Sequence, residues 1–180
     1  VYDRWRLYSE KAPKDIVGEE YEKLRTNLYQ NLGFSVIEDK SRKRIAGYDA
    51  DLAIEKDGKI IIVEEAKGHY VDSCFLQRAL VSCAKVVSHS LEGGDEPPYF
   101  VLSCPTRMKN FDAAFNDTVR LFKHDIADSM KEKFIYFPLC RHGRVPKETY
   151  YQSVNNCFTL DEALINKEMA FMEKLKNGNG

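Results

Sequence analysis

The feature that most constrains the fold is a pair of strand-like runs joined by a tight turn. Residues 51–55 and 59–66 are rich in aliphatic side chains, and "KDG" between them places Asp57-Gly58 at the tip of a hairpin. An antiparallel hairpin brings the start of its first strand beside the end of its second. Both positions carry charged residues. Asp49 and Asp51 stand at the start of the first strand, and the end of the second strand has Glu64, Glu65 and Lys67. We therefore expect a hairpin with acidic groups at its open end.

The rest of the chain alternates between helical and strand periodicity. The predicted elements around the hairpin are, in chain order, a helix from 14 or 15 to 32 that ends at Gly33, a strand at 34–37, a helix at about 73–90, a strand at 99–104 that Pro105 ends, a helix at 111–130, an edge strand at 134–140 that contains Pro138, and a helix from a Thr159/Glu162 capping box to about 177. This order predicts an α/β fold with a mixed central sheet flanked by helices.

Composition limits the protein class. The 180 residues, of which 43% are hydrophobic and 31% charged, suit one domain over 1–180. The net charge of -1 means that any nucleic-acid surface is local. No run reaches the roughly 18 to 20 apolar residues that span a bilayer, and "VYDRWRLYSEK" is too polar for a signal sequence. We expect a cytoplasmic protein without a membrane partner. The five dispersed cysteines contain no CxxC pair, which favours reduced thiols.

The charges at the end of the hairpin suggest a cation site. Glu65 and Lys67 lie on one side of their strand, on the order of 7 Å apart. Counting outward from the turn brings Asp51 beside Glu65. Two carboxylates side by side repel unless a divalent cation joins them, and Mg²⁺, with Mn²⁺ as a substitute, is commonly held by one or two carboxylates and a phosphate. The lysine suits a phosphodiester substrate. Alternatively, these charges only solvate a strand end.

The hairpin sequence resembles the PD-(D/E)XK nuclease superfamily, which has the restriction-endonuclease-like αβββαβ core. The motif is "DADL…VEEAK", and the match covers about 15–104, with 105–180 as an additional strand and helices. By this resemblance Asp51 is the motif aspartate, Glu65 the second acidic metal ligand and Lys67 the motif lysine. Ala50 stands where many relatives have proline. Asp49 is the alternative aspartate, but the apolar run begins directly after Asp51.

Many relatives also draw a glutamate from the first helix. Glu20 lies at the border of the apolar stripe, about 80° from its centre at about 100° per residue, and is our choice. Measuring back from Gly33 by the spacing usual in resolvase-like relatives selects Glu22 instead. Both assignments stay open at this point.

Several residues around the motif are candidates for DNA contact. Phosphate contacts come mainly from basic side chains and backbone amides. The candidates are Lys40, Arg42, Lys43 and Arg44 in the loop before the motif, and Gln77 and Arg78 on the following helix. His69 could assist proton transfer, although a structural histidine is the commoner case, and Tyr70 follows it.

The resemblance implies a Mg²⁺-dependent endonuclease that hydrolyses double-stranded DNA, most like a type II restriction endonuclease and acting as a homodimer. One alternative is a structure-selective repair or recombination nuclease such as a Holliday junction resolvase. Another is a non-catalytic DNA-binding relative. Cleavage of plasmid into discrete fragments distinguishes the first from the other two.

Overall fold

The computed structural model describes residues 18–68, 71–106, 108, 110–140 and 162–178, apart from the side chains at positions 18, 20, 24, 105, 106, 139, 140, 162 and 165. The helices are α1 (Gly18–Asn31), α2 (Ser73–Glu92), α3 (Phe111–Val119), α4 (His124–Lys133) and α5 (Glu162–Lys176). The strands are β1 (Ser35–Val36), β2 (Arg44–Ile45), β3 (Tyr48–Asp49), β4 (Leu52–Lys56), β5 (Lys59–Ala66), β6 (Tyr99–Thr106) and β7 (Phe134–Cys140).

The centre of the fold is a five-stranded mixed sheet with the order β1-β4-β5-β6-β7. The pairs β1/β4 and β4/β5 are antiparallel, while β5/β6 and β6/β7 are parallel. Strands β2 and β3 form a separate two-stranded hairpin between β1 and β4. The predicted α/β class and mixed sheet are therefore confirmed, and β7 lies at the predicted edge.

Helices cover both faces of the sheet, because successive side chains of each strand point to opposite sides. Ala53 and Val63 join a core with α2, α3 and α4, whereas Leu52, Ile54 and Ile62 join a core with α1 and α5. Consequently the side chains of successive residues at the end of β5 face different helices.

The central hairpin has the predicted turn. Asp57 and Gly58 both have positive φ angles, 53° and 76°, as a two-residue turn that follows the strand twist requires. Leu52 pairs with Glu64 and Ile54 with Ile62, but the next pair is Glu55 with Ile60, so the register shifts by one residue between Ile54 and Glu55. This irregularity absorbs the unequal lengths of the two arms.

Two predicted boundaries were wrong. Strand β6 continues through Pro105 to Thr106. Its pairing with β5 ends at Ser103, and the residues on either side of Pro105, Cys104 and Thr106, pair with β7. A missing N–H is tolerated beyond the end of the β5 pairing. The helix predicted over 111–130 is two helices, because the backbone at Lys123 is extended, with φ -55° and ψ 148°. The break lets Phe115 and Ile126 both pack against the core that contains α2.

Other boundaries differ less. The strand predicted over 34–37 is only Ser35–Val36, and the β2–β3 hairpin was not predicted. The predicted start of the first helix, at 14 or 15, lies outside the described residues. Thr159, the predicted cap of the last helix, lies outside them as well. Within the described part of the chain, no helix has the length and hydropathy needed to cross a bilayer.

Candidate active site

Asp51 and Glu65 meet at the open end of the β4–β5 hairpin. Asp51 directly precedes β4, and the pairing of Leu52 with Glu64 brings it opposite Glu65. The backbone N–H of Ala66 donates a hydrogen bond of 2.8 Å to Asp51 Oδ2, which fixes the carboxylate against β5. Burial, and then the charge of Glu65, raise the pKa of Asp51 to about 6. The two carboxylates are therefore partly desolvated and close enough to repel each other.

Glu65 is held on its other side by Tyr48. The Tyr48 hydroxyl, on β3, donates a hydrogen bond of 2.5 Å to Glu65 Oε2. Burial raises the pKa of Glu65, while the Tyr48 hydrogen bond and the charge of Lys67 oppose that rise. Burial and the neighbouring Glu65 charge hold the pKa of Tyr48 far above its ordinary value, so the phenol remains a donor. Sequence reasoning missed Tyr48, since only β2–β3 pairing brings it to β5.

Lys67 extends the same side of β5 as Glu65. Its backbone N–H donates to the Ser103 carbonyl at 2.8 Å, which continues the ladder with β6. Its ammonium lies 4.6 Å from the centre of the Phe75 ring at the start of α2. The guanidinium of Arg78 lies 5.7 Å from the same ring, and its positive charge also lowers the pKa of Glu65. Two cations thus flank the acidic pair.

Of the two candidate glutamates on α1, Glu22 is the one whose side chain the structure describes. Its side chain is half-buried, and burial, followed by the charge of Asp51, raises its pKa. The charge of Glu22 also raises the pKa of Glu65. Glu20 belongs to α1, but its side chain lies outside the described residues, so its role stays a prediction. Glu22 therefore lies near enough to Asp51 and Glu65 for the charges to act on one another.

A buried polar network lies beneath this site, on the opposite face of β5. Arg25 and Glu64 are both 0% exposed. The guanidinium of Arg25 donates to both oxygens of Glu64 and to Glu168 Oε1 on α5. Ser103 and Tyr29 donate to Glu64 as well. The network ties α1, β5, β6 and α5 together, and so fixes the helix turn that precedes Arg25, where Glu22 stands.

Sequence reasoning missed this network, although one signal was present. Arg25 follows Tyr21 and precedes Tyr29 by four residues each, which places a cation within an apolar helical stripe. A cation at such a position needs a buried anion. Its partner Glu64 lies on the other face of β5 from Glu65, and Glu168 comes from α5, 143 residues along the chain from Arg25.

The basic loop residues have different environments. Arg42 forms an ion pair with Glu55, and Lys43 Nζ donates to the Asp51 carbonyl at 3.0 Å. Arg44 Nε lies 3.8 Å from Asp49 Oδ1, with both side chains mostly exposed. Asp49 therefore points into solvent, away from the acidic pair, which agrees with the choice of Asp51.

The remaining candidates lie on the surface or outside the description. Lys40, Gln77 and Arg78 are exposed, as a surface that contacts DNA requires. His69 and Tyr70 lie outside the described residues. Among the described cysteines, Cys74 is exposed and Cys83 is buried, and the reduced state of the thiols stays a prediction.

The acidic pair fits a divalent cation in the chemistry of its donors. Asp51 and Glu65 offer hard carboxylate oxygens, and burial is the main cause that raises the pKa of each. Among the described residues, no group of three or more His, Cys, Asp or Glu side chains is arranged to hold a metal ion. Two carboxylates are nevertheless enough for Mg²⁺, which usually keeps several water ligands and binds substrate phosphate.

Comparison with protein families, curated proteins and solved structures finds no match to this chain.

Proposed function

We propose that the chain is a Mg²⁺-dependent endonuclease that hydrolyses phosphodiester bonds in double-stranded DNA, with a restriction-endonuclease-like core. The observation that carries the proposal is the meeting of Asp51 and Glu65 across β4 and β5 beside Lys67, with the charge of Glu22 acting on both carboxylates. Mn²⁺ would substitute for Mg²⁺, because both favour carboxylate and water oxygens.

The order of elements supports the core assignment. Helix α1, strands β1, β4 and β5, helix α2 and strand β6 follow one another in the order αβββαβ, with the short β2–β3 hairpin inserted after the first strand. The acidic pair lies where the second and third strands of that core adjoin, and the following helix begins beside the lysine. Strand β7 and helices α3 to α5 are additions to this core.

The roles of the residues follow from their charges. Asp51 and Glu65 would hold the cation, which when bound supplies a positive charge for the phosphate oxygens. The Lys67 ammonium neutralises further charge on the phosphate and orients the water that attacks phosphorus. Hydrolysis adds that water across the phosphorus–oxygen bond and releases a phosphate and an alcohol. Phe75 keeps the ammonium of Lys67 beside the acidic pair by a cation–π contact.

The surface beside the site can bind a polyanion locally. The exposed cations Lys40 and Arg44 precede β4, and Arg78 lies on α2 next to the acidic pair. We propose that these three cations contact the DNA backbone, and the net charge of -1 means that such attraction is local. Cleavage of both DNA strands needs two active sites, so we propose a homodimer with one site for each strand.

A junction-resolving nuclease is the second candidate, and the position of Glu22 favours it. Glu22 lies eleven residues before Gly33, the spacing of resolvase-like relatives, and its charge acts on Asp51. Such an enzyme recognises branched DNA by shape. A non-catalytic DNA-binding protein is disfavoured, because binding alone does not need two desolvated, repelling carboxylates.

The test offers the purified chain supercoiled plasmid and synthetic four-way junctions, with Mg²⁺ or with EDTA. Discrete plasmid fragments support the restriction-type activity, and cutting of junctions alone supports the second candidate. We expect Asp51→Ala and Lys67→Ala to abolish cleavage while DNA binding persists. Asp49→Asn is the matched control, since it removes an exposed carboxylate two residues from Asp51. Undiminished cutting by both alanine variants would refute the site.

A further inference from the structure

Two adjacent glutamates of β5 each accept a hydrogen bond from a tyrosine, on opposite faces of the sheet. Tyr29 on α1 donates to Glu64 Oε2, and Tyr48 on β3 donates to Glu65 Oε2. Both tyrosines are buried, at 0% and 9% exposure. Glu64 is also bound by Arg25 and belongs to the interior, whereas half-buried Glu65 lies near Asp51 and Lys67. Similar hydrogen bonds thus serve one structural and one solvent-accessible carboxylate.

The Tyr48 hydroxyl is held in place independently of the acidic pair. The Tyr48 ring packs on Phe100 of β6, with ring centres 5.4 Å apart. Its backbone pairs with Ile45 in the β2–β3 hairpin. The backbone N–H of Ala50 donates to the Lys43 carbonyl at 3.2 Å, which closes the hairpin next to β4. The donor is therefore fixed by the fold before any cation or substrate binds.

We propose that Tyr48 is a positioning residue of the cation site, which holds Glu65 so that only Oε1 is presented to the ion. This inference rests on the proposed function. An oxygen that already accepts a hydrogen bond is a weaker ligand, so Glu65 would bind an ion through its other oxygen. One-oxygen binding suits the small octahedral Mg²⁺, while Ca²⁺ readily takes both oxygens of a carboxylate. Tyr48 consequently favours Mg²⁺ over Ca²⁺.

The test measures metal affinity of the 180-residue chain without DNA. Free Mn²⁺ is counted by electron paramagnetic resonance, and Mg²⁺ and Ca²⁺ are then titrated as competitors against wild type, Tyr48→Phe and Tyr29→Phe. Loss of an outer hydrogen bond to a metal ligand typically lowers affinity about 10- to 100-fold. We expect Tyr48→Phe to weaken Mg²⁺ binding about tenfold, near the lower end of that range, and to weaken Ca²⁺ binding much less.

The Tyr29→Phe variant is the matched control. It removes the hydroxyl group of a buried tyrosine that donates to Glu64. Its loss of stability should therefore be similar to that of Tyr48→Phe. Its affinities for Mg²⁺ and Ca²⁺ should equal those of wild type. An effect on general folding would move both variants together, whereas an effect on Glu65 moves Tyr48→Phe alone.

A second comparison measures the effect of Tyr48→Phe on metal affinity with and without the Glu65 carboxylate. In a Glu65→Gln background the carboxylate is gone, so adding Tyr48→Phe should change Mg²⁺ affinity no further. If Tyr48→Phe leaves the ratio of Mg²⁺ affinity to Ca²⁺ affinity unchanged, the inference is overturned. A wild-type chain that binds no divalent cation would overturn it as well.

The outcomes also separate this inference from the nuclease proposal. If wild type cleaves DNA with Mg²⁺ and Tyr48→Phe keeps the wild-type metal preference, the role of Tyr48 is wrong and the nuclease proposal stands. If wild type cuts no DNA but the preference shifts as expected, the role of Tyr48 is right and the nuclease proposal fails.

Discussion

Replacing Asp51 by asparagine should stabilise the metal-free protein while it removes the proposed activity. Asparagine keeps the size of the side chain and a carbonyl oxygen that can accept the hydrogen bond from Ala66. It removes a negative charge that is half-buried and repelled by Glu65. The expected gain is therefore electrostatic and should depend on pH.

The size of the gain follows from the pKa of Asp51. Burial and then Glu65 raise that pKa from an ordinary 3.8 to about 6. One pKa unit between the folded and unfolded states corresponds to about 1.36 kcal/mol, so a fully buried carboxylate would cost about 3 kcal/mol at neutral pH. Solvent screening of this partly exposed group reduces the cost to about 1 to 2 kcal/mol, equivalent to roughly 2 to 8 °C in Tm for a chain of this size.

The assay is urea or thermal unfolding of wild type and Asp51→Asn in EDTA at several pH values. The folded carboxyl binds its proton more tightly than the unfolded one, so wild type recovers stability as pH falls through about 6 towards 3.8. Asp51→Asn should therefore be more stable at pH 8, with a difference that is mostly lost near pH 4. Mg²⁺ at about 100 times its Kd should stabilise wild type by about 2.7 kcal/mol and the variant by far less.

Two results would refute this reasoning. One is a variant less stable than wild type at pH 8, and the other is a stability difference that stays constant from pH 8 to pH 4. Asp49→Asn is the control, because Asp49 is exposed and pairs with Arg44. Its stability should stay within about 0.5 kcal/mol of wild type throughout.

Two further predictions concern charges outside the acidic pair. Arg25→Met leaves the buried Glu64 carboxylate without its guanidinium and should lower the free energy of unfolding by about 3 to 5 kcal/mol; a loss below about 1 kcal/mol in urea titration would contradict a buried ion pair. Arg44→Ala should weaken DNA binding and make the slope of log affinity against log salt less steep by about 0.9. Arg120→Ala, which removes an exposed cation paired with Asp117, should leave that slope unchanged.

The hairpin could be predicted because its signals are local. Asp57-Gly58 specifies a turn, and the apolar runs on either side set the strands. Counting from the turn brought Asp51 and Glu65 together in spite of arms of unequal length, and the register shift at Ile54/Glu55 removes the difference. The helix break near Lys123 was not predictable in this way, since no glycine or proline marks it. It depends on packing against α2.

The sequence by itself determined the apolar hairpin and the charged residues at its open end. The reason is that turn residues and alternating side chains act between near neighbours in the chain. Only the tertiary structure decided what each charge does. Glu64 and Glu65 are chemically identical neighbours, yet one is sealed against Arg25 and the other faces Asp51. The reason is that the two faces of β5 are covered by different parts of the chain. The free energy of a buried carboxylate depends on partners that packing brings from distant positions. Arg25 is 39 residues from Glu64, and Tyr48 is 17 residues from Glu65. No local pattern specifies these partners.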